Sequence, residues 1–218
     1  MRESAYNLHL LKMVFLDGPW LKISAVYCFA GFFIACAGGR IYMEEAVEEG
    51  LASYSLAVSL LPAVMLLYYP VLRICQSSSA VVSQGKEQYI GRLRNLLWLI
   101  SGAFVLYYGA GTYLMSKFIF SEGHWYDSEA NLKIWGLKLL LLFLLLMTVS
   151  LVLCFCMVRN VNFGAAAFFT LIAVYLFWRR IDLNGFSMRD ISVLIAVLLV
   201  LLLIEEYLLK RWDFMYWR

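Results

Sequence analysis

The sequence predicts an all-α protein, a polytopic membrane helix bundle of about six transmembrane helices, and its composition is the first reason. Hydrophobic residues make up 63% of the 218 residues and charged residues 15%, at a mean hydropathy of +0.77. A soluble domain contains roughly half apolar and a quarter charged residues. A chain of this size leaves much of its surface exposed, so lipid must replace water around much of it. The soluble globular and disordered classes are therefore excluded.

The second reason is that the apolar residues are gathered into six stretches. Crossing a bilayer takes about 20 mainly apolar residues. The stretches cover residues 21–37, 51–72, 96–115, 137–158, 163–178 and 191–209. The first and fifth stretches are short. The fifth either crosses a locally thinned bilayer or is only partly inserted, so five to seven spans fit the sequence. We expect one transmembrane domain over residues 1–218.

An amphipathic segment at residues 4–17 precedes the first stretch. Leu8, Leu11 and Phe15 fall on one helical face, and the turn Asp17-Gly18-Pro19 ends the helix before the span begins. The pattern predicts an interfacial helix lying on the cytoplasmic leaflet. An ordinary juxtamembrane helix without a partner is the alternative.

The first stretch also has features of a secretory signal. Ala35-Cys36-Ala37 follows the small-x-small pattern of a cleavage site. The region ahead of the stretch is unusually long for a signal, however, and carries the acidic residues Glu3 and Asp17. We therefore expect this segment to be retained as a true span.

The distribution of basic residues predicts that both termini are cytoplasmic. That orientation places 11 Lys and Arg residues on the inner side and six on the outer side, in agreement with the positive-inside rule. The outer pair Arg179-Arg180 is the exception, and a re-entrant fifth segment would explain it. We expect an integral protein of a bacterial cytoplasmic membrane, with lipid as a partner.

Ionisable groups are scarce within the stretches. Up to Ile204 they contain no Asp, Glu or His, and Lys138 is placed to snorkel toward a helix end. Proton-coupled carriers and pumps hold an ionisable residue near the midplane, and a hydrolase needs a nucleophile with a base, a carboxylate pair or a metal. Neither class fits this sequence. We interpret Glu205 and Glu206 as closing the last helix at the membrane interface.

The sequence predicts no catalytic residue, no metal site and no cofactor site. Neither His9 nor His124 lies near a cysteine. The cysteines lie in or beside apolar runs, where a thiol behaves as a small hydrophobe; they are Cys28, Cys36, Cys75, Cys154 and Cys156. There is no Gly-rich phosphate loop. No clustered basic face points to nucleic acid as a partner.

Two patterns indicate packing surfaces and a substrate path. Small residues repeat in the first span and open the fifth, which predicts close helix approach, either within the chain or across a dimer. Paired tyrosines could line a path for an amphipathic substrate, or could belong to an interfacial aromatic belt. The small residues are Gly31, Ala35, Gly39 and the run Gly164 to Ala167, and the tyrosines are Tyr68, Tyr69, Tyr107 and Tyr108.

Four features of the layout together suggest a family. They are the amphipathic helix Ser4–Leu16, six spans with both ends inside, the polar inner loop Arg73–Arg94, and a last helix that runs from Tyr207 into Lys-Arg-Trp-Asp213-Phe214. In these features the chain resembles the membrane subunit of small ABC-2-type exporters, six-span permeases that pair with a separate ATPase subunit.

The resemblance implies a permease subunit that exports an amphipathic substrate, such as a small peptide or a lipid-like molecule. ATP would act through the partner ATPase, and the inner loop would carry a coupling helix that contacts it. The coupling residues would be Lys86, Glu87, Gln88 and Tyr89. The family's dimer contact would fall on the first and fifth spans, which here carry the two groups of small residues, in a homodimer or a heterodimer with another permease subunit.

A non-transport membrane protein is the alternative from another class. Such a protein would be a structural, assembly or immunity subunit that only binds another membrane protein. An enzyme acting at the membrane interface is the third hypothesis. Co-purification of an ATPase subunit distinguishes the permease hypothesis from the other two.

Replacing Gly31 and Ala35 by Leu tests the first packing surface. If this surface is a dimer face, the larger side chains hold the helices apart and weaken self-association. The measurement is the oligomeric mass in detergent, and an unchanged mass disproves the dimer face.

Overall fold

The computed structural model describes residues 56–75, 86–119, 128–158, 162–185 and 187–211, together with the single positions Lys22 and Ala52. This part of the chain is all-α. Its five α-helices are α1 (Leu61–Cys75), α2 (Lys86–Ile119), α3 (Glu129–Val158), α4 (Phe163–Asn184) and α5 (Met188–Arg211), and a π-helical segment, Leu56–Leu60, precedes α1. The predicted interfacial helix 4–17 and, apart from Lys22, the predicted span 21–37 with Gly31, Ala35 and Gly39 lie outside the described residues.

Helix α3 is the centre of the bundle, and it packs against α1, α2, α4 and α5. From Leu139 to its end its only polar residues are Thr148 and Ser150. Leu141, Leu142 and Leu145 are all buried. Because a helix that is apolar on every side has no face suited to water, the sequence of α3 requires neighbours or lipid all around it.

Small residues of α2 let it approach α3 closely. A Cβ atom on Gly109 would lie 2.9 Å from Cδ1 of Leu139, and one on Gly102 would lie 3.5 Å from the Phe143 ring. Small residues at helix contacts are the usual means of close packing where burial against lipid offers no gain. The glycine at 109 is therefore a packing position of this pair of helices.

Helix α4 buries one stripe and exposes large apolar side chains elsewhere. Asn162 caps its N-terminus, where the Asn162 side-chain oxygen accepts a hydrogen bond from the Gly164 amide at 2.8 Å. The buried stripe consists of Ala166, Thr170, Val174, Trp178 and Ile181. The exposed apolar residues include Phe168, Phe169, Ile172 and Leu176. An exposed face of this composition is typical of a lipid-facing surface.

The junction between α4 and α5 differs from the sequence expectation. The stretch 163–178 was expected to end at the Arg179-Arg180 pair, whereas α4 continues to Asn184, and α5 begins at Met188. The two guanidinium groups lie over aromatic rings one turn or less away, at 5.9 Å from the Tyr175 centroid and 5.4 Å from the Phe177 centroid. Their charge is thus accommodated without ending the helix.

Two helices of the described part are long and apolar enough to cross a membrane. They are Glu129–Cys156, with 28 residues, and Phe163–Asn184, with 22 residues. At 1.5 Å per residue the shorter one extends about 33 Å, compared with about 30 Å for the hydrocarbon core of a bilayer. Length and composition are the whole basis of this assignment, and the count of six spans stays a prediction.

A buried hydrogen-bonded group ties three helices together. The Ser101 hydroxyl of α2 donates to the Leu97 carbonyl at 2.7 Å, which leaves its oxygen free to accept from the Tyr68 hydroxyl of α1 at 2.5 Å. The Tyr68 hydroxyl also lies 3.3 Å from the Leu146 carbonyl oxygen of α3. Tyr68 and Ser101 are both fully buried, so these polar atoms depend on one another for hydrogen bonds.

The variant Tyr68→Phe should lower the free energy of unfolding by about 1 kcal/mol, the usual size of a hydrogen bond between membrane helices. Tyr107→Phe is the matched control, since Tyr107 is 49% exposed on α2 and should change stability little. Unfolding of the purified protein in mixed micelles with increasing dodecyl sulfate measures both. Equal effects of the two substitutions would contradict the proposed role of the buried group.

Candidate functional site

An ion pair between α2 and α5 joins the two helices inside the bundle. Nη1 of Arg94 lies 3.0 Å from Oε2 of Glu205. The Glu205 side chain is 3% exposed and that of Arg94 is 28% exposed. The Arg94 guanidinium also lies 5.2 Å from the Trp98 ring centroid, in cation–π contact. Glu205 therefore faces the protein, and its interpretation as a helix-closing residue at the interface is wrong.

The position of Glu205 could have been found from periodicity. The buried residues of α5 include Leu194 and Leu198, and Glu205 follows Leu198 by seven residues, or two helical turns. It continues the buried stripe of the helix. The prediction missed this because it assigned Glu205 by its charge to the membrane interface rather than following the stripe of buried residues.

Burial makes the Arg94–Glu205 pair important for the position of α5. A buried carboxylate is stable only with its charge paired or hydrogen-bonded, because desolvation of an isolated charge is costly. By contrast, Glu129 and Lys133 form an exposed pair on α3 at 2.7 Å, with side chains 83% and 70% exposed. Exposed pairs of this kind contribute little to stability. Separating α2 from α5 at Arg94 would therefore leave the buried Glu205 carboxylate without its cation, which is costly.

The four predicted coupling residues, Lys86 to Tyr89, form the first turn of α2. The same helix continues without a break through Arg94 to Ile119. Eight residues separate Lys86 from Arg94, which is about 12 Å along the helix axis. The part of the predicted inner loop that covers residues 76–85 lies outside the described residues.

The structure separates the four tyrosines that were predicted to line a substrate path. Tyr68 and Tyr108 are buried in the core, whereas Tyr107 is half-exposed. The Tyr69 ring contacts the Phe163 ring at a centroid distance of 5.1 Å, which joins the end of α1 to the start of α4. None of the four lines the two apolar grooves described below, and the tyrosine path stays a prediction.

The small residues Gly164 and Ala167 lie in the first turns of α4. Gly164 is exposed, and the nearest group to a Cβ atom built on it is the Asn162 side-chain oxygen, at 3.2 Å. Ala167 is partly buried and packs against the core. Ala167 therefore already contributes to packing within the chain, and a contact between chains at Gly164 stays a prediction.

The helices enclose two apolar grooves. The first has a volume of about 500 Å³ and lies between α3, α4 and α5. The second has a volume of about 490 Å³ and lies between α2 and α3, where Gly102 and Gly109 form part of its wall. Thr148 and Thr170 of the first groove turn their hydroxyls back to the helix, each donating to a carbonyl four residues earlier, at 2.9 and 2.7 Å. Both grooves suit an apolar group.

A polar cleft of about 330 Å³ lies at the α4–α5 junction. Asp190 of α5 is buried there, and its Oδ1 is paired with Nη2 of Arg180 from α4. Its Oδ2 accepts from the Ser187 backbone amide at 3.0 Å and from the Ser187 hydroxyl at 2.9 Å. The Asp190 carboxylate thus caps the start of α5 by accepting from the Ser187 amide, as the third residue of a capping box does. Gly185, with φ of 80°, makes the left-handed turn between the helices.

In the part of the chain that the structure describes, no group of three His, Cys, Asp or Glu residues could hold a metal ion. Cys154 is buried and Cys156 half-buried, both as free thiols in the apolar end of α3. His9 and His124 lie outside the described residues.

Comparisons with protein-family models, with curated proteins and with solved structures give no match.

Replacing Arg94 by Ala should lower the free energy of unfolding by about 3 kcal/mol, because it leaves the Glu205 carboxylate buried without its cation. The double variant Arg94→Ala with Glu205→Leu should recover most of that loss. Lys133→Ala is the control, with an expected change below about 0.5 kcal/mol. Unfolding in mixed micelles measures all three, and a double variant as unstable as the single one would contradict the pairing argument.

Proposed function

We propose that the chain is the permease subunit of an ATP-driven, ABC-2-like exporter of an amphipathic substrate. In this proposal six spans cross the membrane with both termini in the cytoplasm, and a separate ATPase subunit supplies the energy. The alternative, a membrane protein that only binds another membrane protein, shares the fold but needs neither an ATPase nor a substrate path.

The observation that carries the proposal is the rigid connection between the predicted coupling turn and the bundle. The turn Lys86–Tyr89 belongs to the same unbroken helix as Arg94, and Arg94 is bound to the buried Glu205 of α5. A force applied to the first turn of α2 would therefore reach α5 through a contact that is costly to break. An ATPase docked at this turn would have a direct mechanical path into the bundle.

The groove between α3, α4 and α5 supports the substrate class. Its volume of about 500 Å³ lies within the usual range of about 300–1,000 Å³ for ligand sites. One of its walls is α5, the helix that the Arg94–Glu205 pair connects to α2. A displacement of α2 would thus change the width of this groove, which is what a transport cycle requires.

The positions of the charged contacts fit the proposed orientation. Arg94–Glu205 lies near the start of α2 and the end of α5, which would be the cytoplasmic side. Arg180–Asp190 lies at the end of α4 and the start of α5, which would be the outer side. Charged pairs near the two ends, with an apolar centre between them, agree with the cost of placing charge at the bilayer midplane.

The proposal predicts that an untagged ATPase subunit co-purifies with the tagged full chain in mild detergent, at about equal amounts. The purified complex should hydrolyse ATP faster when reconstituted in lipid than in detergent. Recovery of the chain alone, under conditions that keep its own oligomer together, would favour the alternative of a non-transport membrane protein.

The double variant Lys86→Ala with Glu87→Ala should keep basal ATP hydrolysis by that complex and lose its stimulation by substrate, because the first turn of α2 no longer transmits the motion. Glu129→Ala with Lys133→Ala is the matched control. It removes the same two residue types from an exposed pair on α3, and it should keep the stimulation. Full stimulation in the α2 variant would show that this turn is not the coupling element.

A further inference from the structure

The first apolar groove and the polar cleft meet at one residue. Val193 lines both the groove between α3, α4 and α5 and the cleft at the α4–α5 junction. The contact continues on α4, where Phe177 of the groove supports the Arg180 guanidinium of the cleft at 5.4 Å. The two spaces thus adjoin at Val193, which places a polar cleft next to an apolar groove.

The apolar groove is long enough to hold one acyl chain. Along α4 the groove runs from Ala165 to Phe177, and twelve residues at 1.5 Å each extend about 18 Å. The hydrocarbon core is about 30 Å thick, so one leaflet contributes roughly 15 Å. A single acyl chain that enters from the cleft would therefore fit the depth of the groove.

The charge of the cleft favours an anion. Arg180 and Arg189 line the cleft together with Asp190, and the Asp190 carboxylate is already occupied by Arg180 and by Ser187. Arg189 is exposed and forms no ion pair with any residue of the described ranges. The two arginines and the one aspartate of the cleft therefore give it a net charge of +1. Guanidinium groups bind phosphate through charge-assisted hydrogen bonds.

Arg180 of the cleft belongs to the pair Arg179-Arg180, which is the exception to the charge distribution predicted from the sequence. Arg179, Arg180 and Arg189 would all lie on the outer side, where basic residues are disfavoured. Lipid headgroups bind basic pockets between membrane helices. Binding of a ligand phosphate in the cleft would explain why basic residues lie on the disfavoured outer side.

We propose that the groove and the cleft together bind one phospholipid with an anionic headgroup, with one of its two acyl chains along α4 and its phosphate at Arg180 and Arg189. The inference rests on the proposed function, in which it specifies the lipid-like class of substrate. Inorganic phosphate shares the headgroup chemistry but cannot occupy the groove, so it should bind far more weakly than the lipid.

Native mass spectrometry of the purified full chain tests the site, with micelles that contain equal amounts of phosphatidylglycerol and phosphatidylcholine of identical acyl chains. The protein should retain one phosphatidylglycerol in preference to phosphatidylcholine, and millimolar inorganic phosphate should not displace it. Arg189→Gln should reduce the preference about fivefold, the factor expected for one interfacial cation. Arg179→Gln is the matched control, since Arg179 is the neighbouring exposed arginine but does not line the cleft.

A second pair of variants tests the groove. Ala173→Phe fills the groove, whereas Ile172→Phe places the same ring on the neighbouring exposed position outside it. The first should abolish lipid retention and the second should preserve it, and both should unfold at the same denaturant concentration. Equal retention of the two lipids, or equal effects within either pair of variants, would overturn the site.

The outcomes separate this inference from the proposed function. Selective lipid retention without any co-purifying ATPase supports the site and counts against transport. Co-purification of the ATPase without lipid selectivity supports transport and excludes this substrate class.

Discussion

The rest of the structure depends on the absence of a polar face on α3. With apolar residues on every side from Leu139 onward, this helix is stable only where neither water nor an unpaired polar group reaches it. The other described helices pack around it. Each of them then needs only one stripe that fits α3, and its remaining surface can stay apolar if lipid covers it. The exposed phenylalanines and leucines of α4 are consistent with such a surface.

An apolar centre confines the polar groups to a few places where they satisfy one another. Tyr68 and Ser101 meet within the core, Arg94 meets Glu205 at one end of α5, and Arg180 meets Asp190 at the other. Packing of leucine against leucine specifies position only weakly when the surroundings are equally apolar. The polar contacts, together with the close approach at Gly109, therefore fix which helices are neighbours and in which register.

Much of the fold could be predicted from the sequence, and the contacts between helices could not. The leucine run of α3 is a local signal, as is the small-residue start of α4. The end of α4 was misplaced because Arg179-Arg180 looks like a stop in hydropathy, whereas the structure supports both side chains on Tyr175 and Phe177. The pairing of Arg94 with Glu205 spans 111 positions, and no local pattern indicates which arginine a buried glutamate will meet. The join between groove and cleft at Val193 likewise depends on three helices coming together.

Chemical labelling from one side of the membrane tests the central claim, that lipid surrounds the bundle built on α3. Ser128→Cys, Asn184→Cys and Asn95→Cys would be introduced singly into a cysteine-free chain, each at an exposed position. The proposed orientation places the first two outside the membrane and the third inside. A membrane-impermeant maleimide should label the first two in intact cells and Asn95→Cys only after permeabilisation. Labelling of Asn95→Cys in intact cells, or recovery of the chain in the soluble fraction, would contradict the account.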